Sequence, residues 1–414
     1  MESQNNPISK VVICSDKFKG GLSSLQVAEA VKDGLLRYGV FRKGEPSFLS
    51  CAPEFELVEM ADGGDGSAAL FGRICKAERV ETKVIGPLGK ETDSYYFFSG
   101  NLPTGEEVPC AFIECATACG LAMVPLNKRN PLNTTTYGVG QLIRHALEKG
   151  ARTIYIGVGG SSSNDCGTGM LQGLGFSVEL PSGMKGSGGN LHLAGKVTDP
   201  SDKALFEKIA SSKFIVINDV GNPLCGPNGA AMVYSPQKGA DRKMAQRLDD
   251  DARGFLLRCG KTSFSKSDAQ KASLFPGAGT AGGMGFALFH FLGAESISGF
   301  EFFGNYLQNL SQKIEEAEFI ITGEGRVDIQ SLMGKVVGGV TQTLGKMKEH
   351  KRLWVVCGKS SIAEEEIAKN CSNAEVKIYQ LADIEPNMAA RMKREAPLLS
   401  QLAYFAAMET DAFL

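Results

Sequence analysis

Short apolar runs alternate with amphipathic helical stretches at both ends of the chain. In the N-terminal part, the pattern predicts a helix at residues 67–75 and strands at residues 11–14, 55–60 and 80–85. The helix after the first strand has an apolar face made of Leu25, Ala28, Val31 and Leu35. This alternation of strands and helices predicts parallel βαβ units.

The same alternation returns in the middle of the chain and near the C-terminus. Strands are predicted at residues 95–99, 111–114, 153–158, 214–218, 319–322, 353–357 and 376–379. Helices are predicted at residues 136–149, 334–348 and 364–369. The predicted fold class is α/β, with one domain built from both ends of the chain and a second α/β domain inserted. Two domains in sequence are the alternative.

Composition and charge narrow the classes of function. A chain of 414 residues is long enough for two domains. The net charge of −2 offers no basic excess for nucleic acid, and no apolar run approaches the roughly 20 residues that span a bilayer. The polar N-terminus and eleven scattered cysteines predict a cytoplasmic protein with reduced thiols. Residues 412–414 resemble a peroxisomal tripeptide without its basic middle residue, so a peroxisome-type organelle is the alternative.

Fifty of the residues are glycine, against about 7% in average proteins. Many of them lie where predicted strands end, beside a carboxylate or an amide. These loops are residues 15–19, 61–66, 157–161, 218–219 and 322–326. In an open parallel sheet, ligands bind outside the carboxyl edge of the strands, so the five loops are predicted to meet in one cleft.

The residue types in these loops suit phosphoryl transfer. Backbone N–H groups of glycine loops bind phosphates, carboxylates bind magnesium, and Lys or Arg stabilises the charge that develops. Each signal has a structural alternative. Asp16 would cap the following helix, Asp62 and Asp65 would serve turn geometry, and Lys19 would be a surface charge. The glycine-rich stretch 276–285 would serve tight helix packing.

Several other enzyme classes lack their motifs in this chain. No GxxxxGK[ST], HRD or DFG sequence occurs, so a P-loop kinase and a protein kinase are excluded. No G-x-S-x-G occurs, which disfavours a serine hydrolase. The stretch 157–169 is not a strict GxGxxG with an acidic residue about 20 positions later, which disfavours a dinucleotide-dependent oxidoreductase.

The ordered motifs of the chain resemble those of the bacterial-type glycerate kinases, from the first strand to about residue 380. The matching residues are 16–19 with 22–23, 61–66, 114, 120–121, 128–131, 137–140, 159–161 with 165, 219 with 222–224, 236–240, 279–285, 322–328 and 334–335. Among the departures, Lys17 adds a cation to its loop, and Cys166 stands where a glycine is expected.

The resemblance implies transfer of the γ-phosphoryl group of ATP to D-glycerate with Mg2+. It implies 2-phosphoglycerate as the product, with 3-phosphoglycerate as the alternative. It also implies a discontinuous flavodoxin-like domain, which we place at residues 1–88 plus 290–414, and an inserted domain at 89–289. The active site is expected in the cleft between them. The sequence leaves monomer and homodimer open.

Roles for individual residues follow as hypotheses. The predicted catalytic residues are Asp165, Asp219, Lys19 and Arg326, and the predicted metal ligands are Asp219 and Asp328. The predicted substrate and nucleotide contacts are Asp16, Asp62, Asp65, Gly159, Gly160, Ser161, Asn222, Gly282, Gly283, Glu324 and Lys335. Lys19 and Lys335 would contact phosphates, and Arg326 would hold the glycerate carboxylate with its planar fork. Asp328 and Glu324 would either fix Arg326 or bind metal. A non-catalytic sensor of glycerate or nucleotide is the rival interpretation.

Overall fold

The structure is a computed structural model that describes residues 8–18, 21–44 and 52–410. The chain divides into two compact units, residues 1–61 with 299–414, and residues 62–298. Both units contain parallel sheets with helices, which confirms the α/β fold class.

The secondary structure is numbered here in chain order. The strands are β1 Lys10–Ser15, β2 Glu54–Leu57, β3 Glu78–Ile85, β4 Glu91–Ser99, β5 Cys110–Glu114, β6 Thr153–Gly157, β7 Ser177–Val178, β8 Val197–Thr198, β9 Lys213–Ile217, β10 Glu295–Ile297, β11 Phe319–Val327, β12 Lys351–Ser360 and β13 Ala374–Gln380. The helices are α1 Ser24–Lys43, α2 Ser67–Ile74, α3 Ala116–Cys119, α4 Tyr137–Lys149, α5 Thr168–Leu174, α6 Lys203–Ala210, α7 Ala230–Tyr234, α8 Arg242–Arg258, α9 Ala269–Ser273, α10 Thr280–Phe291, α11 Leu310–Glu316, α12 Val336–Gly345, α13 Glu364–Ala368, α14 Leu381–Ile384, α15 Met388–Lys393 and α16 Glu395–Thr410. Short 3-10 turns lie at Leu121–Met123, Leu126–Lys128, Pro131–Asn133, Gly188–Leu193, Pro236–Lys238 and Ile329–Leu332, and a π-helical turn at Phe300–Tyr306.

The sheet of the first unit is parallel throughout, in the order β13-β12-β11-β1-β2. Counted within the unit, this is the flavodoxin-like order 2-1-3-4-5, in which ligands bind where the strand order reverses. That point lies between β1 and β11, where Ser15 pairs with Gly323. Alternate residues of β1 enter two different hydrophobic cores, because helices cover both faces of the sheet.

Helix α1 begins with a capping box formed by Ser23 and Gln26, which satisfies its first N–H groups. It packs on the C-terminal helix α16 so closely that a side chain at Gly34 would overlap the carbonyl oxygen of Ser400. The two chain ends are therefore joined in one core, which makes the first unit discontinuous.

The sheet of the second unit has the order β10-β9-β6-β5-β4-β3. The first four strands are parallel, whereas β4 is antiparallel to both β5 and β3. The prediction of 80–85 as a third parallel strand is therefore wrong, because this segment forms a hairpin with β4. The hairpin places residues 62–88 in the second unit, and the pairing of β10 with β9 extends that unit to residue 298. The boundaries predicted at residues 88 and 290 are displaced for this reason.

Candidate functional site

At the carboxyl edge of the first sheet, Asp16 follows β1 and is only 7% exposed. Its N–H donates to the Gly323 carbonyl at 2.8 Å, and its Oδ1 accepts from the N–H of Lys17 at 2.7 Å. These bonds fix the end of β1 beside β11. Lys19, predicted as a phosphate contact, lies outside the described residues.

Glu324 and Lys335 come together at the same edge. Glu324 is 7% exposed on β11, and burial raises the pKa of its carboxyl against the opposing effects of Ser331 and Lys335. The Lys335 Nζ lies 3.6 Å from its Oε2, and its Oε1 is buried without a partner in the described residues. Lys335 stands at the N-cap of α12, so a carboxylate and a cation flank the start of that helix.

Arg326 projects from the end of β11, with 76% of its side chain exposed. Its closest acidic atom among the described residues is the Asp328 Oδ2, 3.9 Å from Nε. Asp328 caps the following 3-10 turn, since its Oδ1 accepts from the Gln330 N–H at 2.9 Å. Of the two hypotheses for Asp328, its position beside Arg326 favours fixing that side chain.

In the second unit, the loop 62–66 packs directly on the loop 157–160. Gly63 accepts from the Gly159 N–H at 3.2 Å, and a side chain at Gly159 would overlap the Gly64 backbone. Gly160 has a φ of +74°, and any side chain on it would overlap the carboxylate of Asp65. Glycine is required here because two backbones and a carboxylate approach each other closely.

The loop 159–161 presents main-chain donors. The N–H groups of Gly160 and Ser161 donate to no acceptor within the residues that the structure describes. Successive N–H groups around a residue with positive φ form an anion-binding concavity. The predicted contacts Gly159, Gly160 and Ser161 are thus brought together beside Asp65. Asp62 instead closes a turn, since its Oδ1 accepts from the Gly64 N–H at 3.0 Å.

Glu114 occupies the N-terminus of α2. This buried carboxylate accepts from the N–H groups of Gly66 at 3.3 Å and Ala68 at 3.0 Å. A carboxylate stabilises the positive end of the helix dipole there. The N-terminus of α2 is therefore satisfied by the protein itself.

Asp165 is fully buried, and both of its carboxylate oxygens are engaged. Oδ2 accepts from the Thr136 N–H at 2.9 Å, the Thr136 hydroxyl at 2.8 Å and the Gly169 N–H at 3.3 Å. Oδ1 accepts from the Gly167 N–H at 3.1 Å. Burial raises the pKa of Asp165, and these hydrogen bonds oppose that effect. The geometry does not support the predicted catalytic role, because Asp165 instead ties its loop to the start of α4.

Gly282 and Gly283 hold the loop 163–166 from the other side. They follow Ala281 in three consecutive left-handed residues, which interrupt the start of α10. A side chain at Gly282 would overlap the Ser163 carbonyl oxygen and come within 2.6 Å of the Asn164 Cα. The Gly282 carbonyl accepts from the Cys166 N–H at 3.0 Å. These glycines pack against the loop, and their predicted contact with substrate or nucleotide stays a prediction.

Cys166 has a φ of +51°, in the left-handed region. The expected glycine at this position has a physical reason, since only glycine adopts such a conformation without strain. The cysteine is accommodated in a fully buried site.

Asp219 is half-buried and follows β9 at the carboxyl edge of the second sheet. Asn218 closes a turn around it, with its Nδ2 donating to the Val220 carbonyl at 2.6 Å. The Asn222 amide is engaged within its own loop, since Nδ2 donates to the Asn228 carbonyl at 2.8 Å and Oδ1 accepts from the Tyr234 hydroxyl at 2.5 Å. Asn222 is therefore a loop-forming residue, and its predicted ligand contact is not supported.

Lys238 lies in the motif 236–240, and the sequence alone assigns it no role. It is 3% exposed, and its Nζ donates to the Ser163 carbonyl at 2.6 Å and to the Ser161 hydroxyl at 3.1 Å. Burial lowers the pKa of Lys238 to about 8. A buried ammonium in contact with a glycine loop is a candidate functional group. The motif 236–240 was the sequence signal that could have identified it.

The described residues contain no group of three or more His, Cys, Asp or Glu side chains placed to hold a metal ion. Magnesium in kinases is bound by one or two carboxylates together with substrate phosphates. Asp219 and Asp65 in the second unit, and Glu324 in the first, supply hard oxygen atoms of the required kind. The donor set of the chain fits magnesium held mainly by a nucleotide.

No helix within residues 8–18, 21–44 and 52–410 combines the length and the apolar character needed to cross a bilayer.

Comparison with known proteins places the chain. A family model described as the glycerate kinase family matches residues 11–409. A glycerate kinase of Halalkalibacterium halodurans is 39% identical over 340 residues, which cover 81% of this chain and 82% of the relative. The glycerate 2-kinase of Escherichia coli is 39% identical over 352 residues, covering 84% and 85% of the two chains.

A solved structure supports the same relationship. A crystal structure of a Salmonella typhimurium LT2 protein, described as a glycerate kinase 2, superimposes with a TM-score of 0.73 at 32% identity. The match covers 98% of this chain and 99% of that one. The sequence match over nearly the whole chain and the shared fold agree, and the chain belongs to the glycerate kinase family.

Proposed function

We propose that this protein transfers the γ-phosphoryl group of ATP to D-glycerate and releases 2-phosphoglycerate and ADP. Membership of the family supports the reaction, and the relative named glycerate 2-kinase supports the position of transfer. The observation that carries the proposal is the loop 159–161, where two main-chain N–H groups beside the Asp65 carboxylate have no acceptor among the described residues. The proposed location is the cytoplasm.

The residues of the second unit would bind and orient the nucleotide. The N–H groups of Gly160 and Ser161 would hold phosphate oxygens without adding side-chain bulk. Magnesium, when bound, would supply positive charge against the negative charge that develops during transfer. Asp219 would hold that metal or orient the attacking hydroxyl of glycerate. Its half-buried position at the end of β9 supports either role.

Two cationic side chains of the first unit would bind the glycerate carboxylate and a phosphate group. Arg326 supplies an exposed guanidinium with no acidic atom closer than 3.9 Å among the described residues. A planar guanidinium pairs with a carboxylate through two parallel hydrogen bonds, which suits glycerate. Lys335, with Glu324 beside it, would contact a phosphate.

A coupled assay with enolase and pyruvate kinase tests the product. Signal without added phosphoglycerate mutase identifies 2-phosphoglycerate, whereas signal only after its addition identifies 3-phosphoglycerate. Excess EDTA should abolish ADP formation, because transfer needs a divalent cation. ADP is then measured directly by chromatography, since the coupling enzymes are themselves metal-dependent. Undiminished turnover in EDTA would contradict the proposed kinase mechanism.

A sensor function would give a different result. Such a protein would bind ATP or glycerate without forming ADP. The same sample therefore decides between enzyme and sensor when ATP binding by calorimetry and ADP formation by chromatography are measured together.

A further inference from the structure

Lys238 is a buried cation with no carboxylate partner among the residues that the structure describes. It ends the 3-10 turn Pro236–Lys238, and no Asp or Glu oxygen of the described residues lies within 4.0 Å of its Nζ. Two of its three N–H donors are used, by the Ser163 carbonyl and the Ser161 hydroxyl. A buried charge without a counter-ion is costly, so an uncharged residue would serve a purely structural purpose better.

The loop that Lys238 contacts contains buried polar atoms without hydrogen-bond partners among the described residues. The hydroxyl of Ser163 and the Oδ1 of Asn164 are both buried without a partner in the described part of the chain. The titratable groups that act on Lys238 are Cys119, Cys115 and Asp165. The Asp165 carboxylate accepts four hydrogen bonds, none of them from Lys238. The positive charge behind the loop 159–161 is therefore offset at longer range by Asp165, but it has no directly paired carboxylate among the described residues.

The turn that carries Lys238 is rigidly seated. The Lys238 N–H donates to the Ser235 carbonyl at 2.9 Å, and Gly239 has a φ of +99°. A side chain at Gly239 would overlap the Arg129 carbonyl oxygen, so this backbone cannot shift toward residue 129. The ammonium is therefore held at a defined place under the loop.

We propose that Lys238 is the positioning residue of the phosphate-binding loop 159–161. This inference rests on the proposed kinase function. The ammonium grips the Ser161 hydroxyl and the Ser163 carbonyl, which fixes the direction of the Gly160 and Ser161 N–H groups. Its charge, shielded from solvent, favours an anion on the open side of the loop.

The pH dependence of kcat/KM and of kcat distinguishes a positioning role of Lys238 from a purely structural one. The plot of kcat/KM for ATP against pH reports groups of the free enzyme, so it should fall above about pH 8, where Lys238 loses its proton. Bound phosphate stabilises the ammonium, so the fall in kcat should occur at higher pH. A purely structural role would give no such difference between the two profiles.

The experiment compares Lys238→Met with a matched control, Lys351→Met. Lys351 is also buried, at 5% exposure, but it lies at the start of β12 and donates to the Glu315 carbonyl and the Glu349 carboxylate. ADP formation is measured directly by chromatography from pH 6 to 10, so that no coupling enzyme limits the rate. We expect Lys238→Met to raise KM for ATP by about tenfold or more and to lose the alkaline fall. The control Lys351→Met should keep the parental KM for ATP and the alkaline fall.

Two further variants keep the proposal testable if Lys238→Met does not fold. Ser161→Ala retains the main-chain N–H but removes one partner of the ammonium, so the alkaline fall should move to lower pH. Cys119→Ala removes the titratable group with the largest electrostatic effect on Lys238, and the alkaline fall in kcat/KM should remain.

Each outcome has one meaning. Wild-type protein that forms no ADP refutes the kinase function itself. Wild-type protein that turns over without any alkaline fall refutes the role of Lys238, as does a Lys238→Met variant whose KM stays within about threefold of the parent. A fall that disappears in Cys119→Ala assigns the titration to the thiol and also refutes it.

Discussion

Replacing Gly282 with alanine tests whether the left-handed turn 281–283 clamps the phosphate-binding region. Gly282 has a φ of +68°, and the new methyl group would overlap the Ser163 carbonyl oxygen. That same carbonyl accepts from Lys238, so the substitution strains a contact behind the loop 159–161.

Two contributions set the size of the effect. A left-handed conformation costs an L-residue roughly 1–2 kcal/mol. Overpacking against backbone that cannot rotate away costs about 1–3 kcal/mol. We therefore expect the free energy of unfolding to fall by about 2–5 kcal/mol, a large fraction of the roughly 5–15 kcal/mol of a typical protein.

Gly183→Ala is the matched control. Gly183 also has a positive φ, of +80°, but an added methyl group there would meet no atom within 4 Å. This variant carries the conformational strain alone. The difference between the two variants, measured by urea denaturation at one pH, isolates the steric overlap.

The activity of Gly282→Ala gives the second measurement. If the turn clamps the loop, KM for ATP should rise in the folded variant, whereas Gly183→Ala should keep the parental value. Equal destabilisation of the two variants, within about 0.5 kcal/mol, would show that the structure around Ser163 yields easily and would refute the clamp.

Three further substitutions test individual assignments. Asp165→Asn should lower the free energy of unfolding by at least about 2 kcal/mol, because buried N–H groups lose a charged acceptor; unchanged stability with a lost kcat would restore the catalytic assignment. Asp219→Asn should lower kcat by at least about a hundredfold with the fold intact, and a kcat within about threefold of the parent would leave Asp219 only a turn residue. Arg326→Lys should raise KM for glycerate about tenfold and leave that for ATP unchanged, because lysine lacks the planar fork; a change confined to ATP would assign Arg326 to the nucleotide.

The alternation of strands and helices was predictable from local pattern, but strand pairing was not. An apolar run such as 80–85 shows strand periodicity whether its neighbour is parallel or antiparallel. Only the register shows that β3 pairs with β4 and that β11 is the neighbour of β1. The division of the chain into units depends on that pairing. The units therefore begin and end at other residues than the predicted boundaries.

Within the candidate site, the sequence identified loops better than it identified roles. Gly159, Gly160 and Ser161 were predicted as a group, because glycine beside a strand end is a local signal. The burial of Asp165 and the position of Lys238 were not predictable, because a carboxylate or an ammonium looks the same in a sequence whether it faces solvent or is buried. Their burial and partners come from residues distant in the chain, such as Thr136 and Ser161.

The α/β class, the glycine-rich loops and the resemblance to a kinase family were all predictable before folding, since each depends on short stretches of neighbouring residues. Only the folded chain shows which strands share a sheet, that the buried Asp165 carboxylate accepts from four donors, and that Lys238 lies beneath the loop 159–161. The physical reason is that hydrogen bonding and desolvation depend on contacts between segments far apart in the chain, and these contacts exist only once the chain has folded.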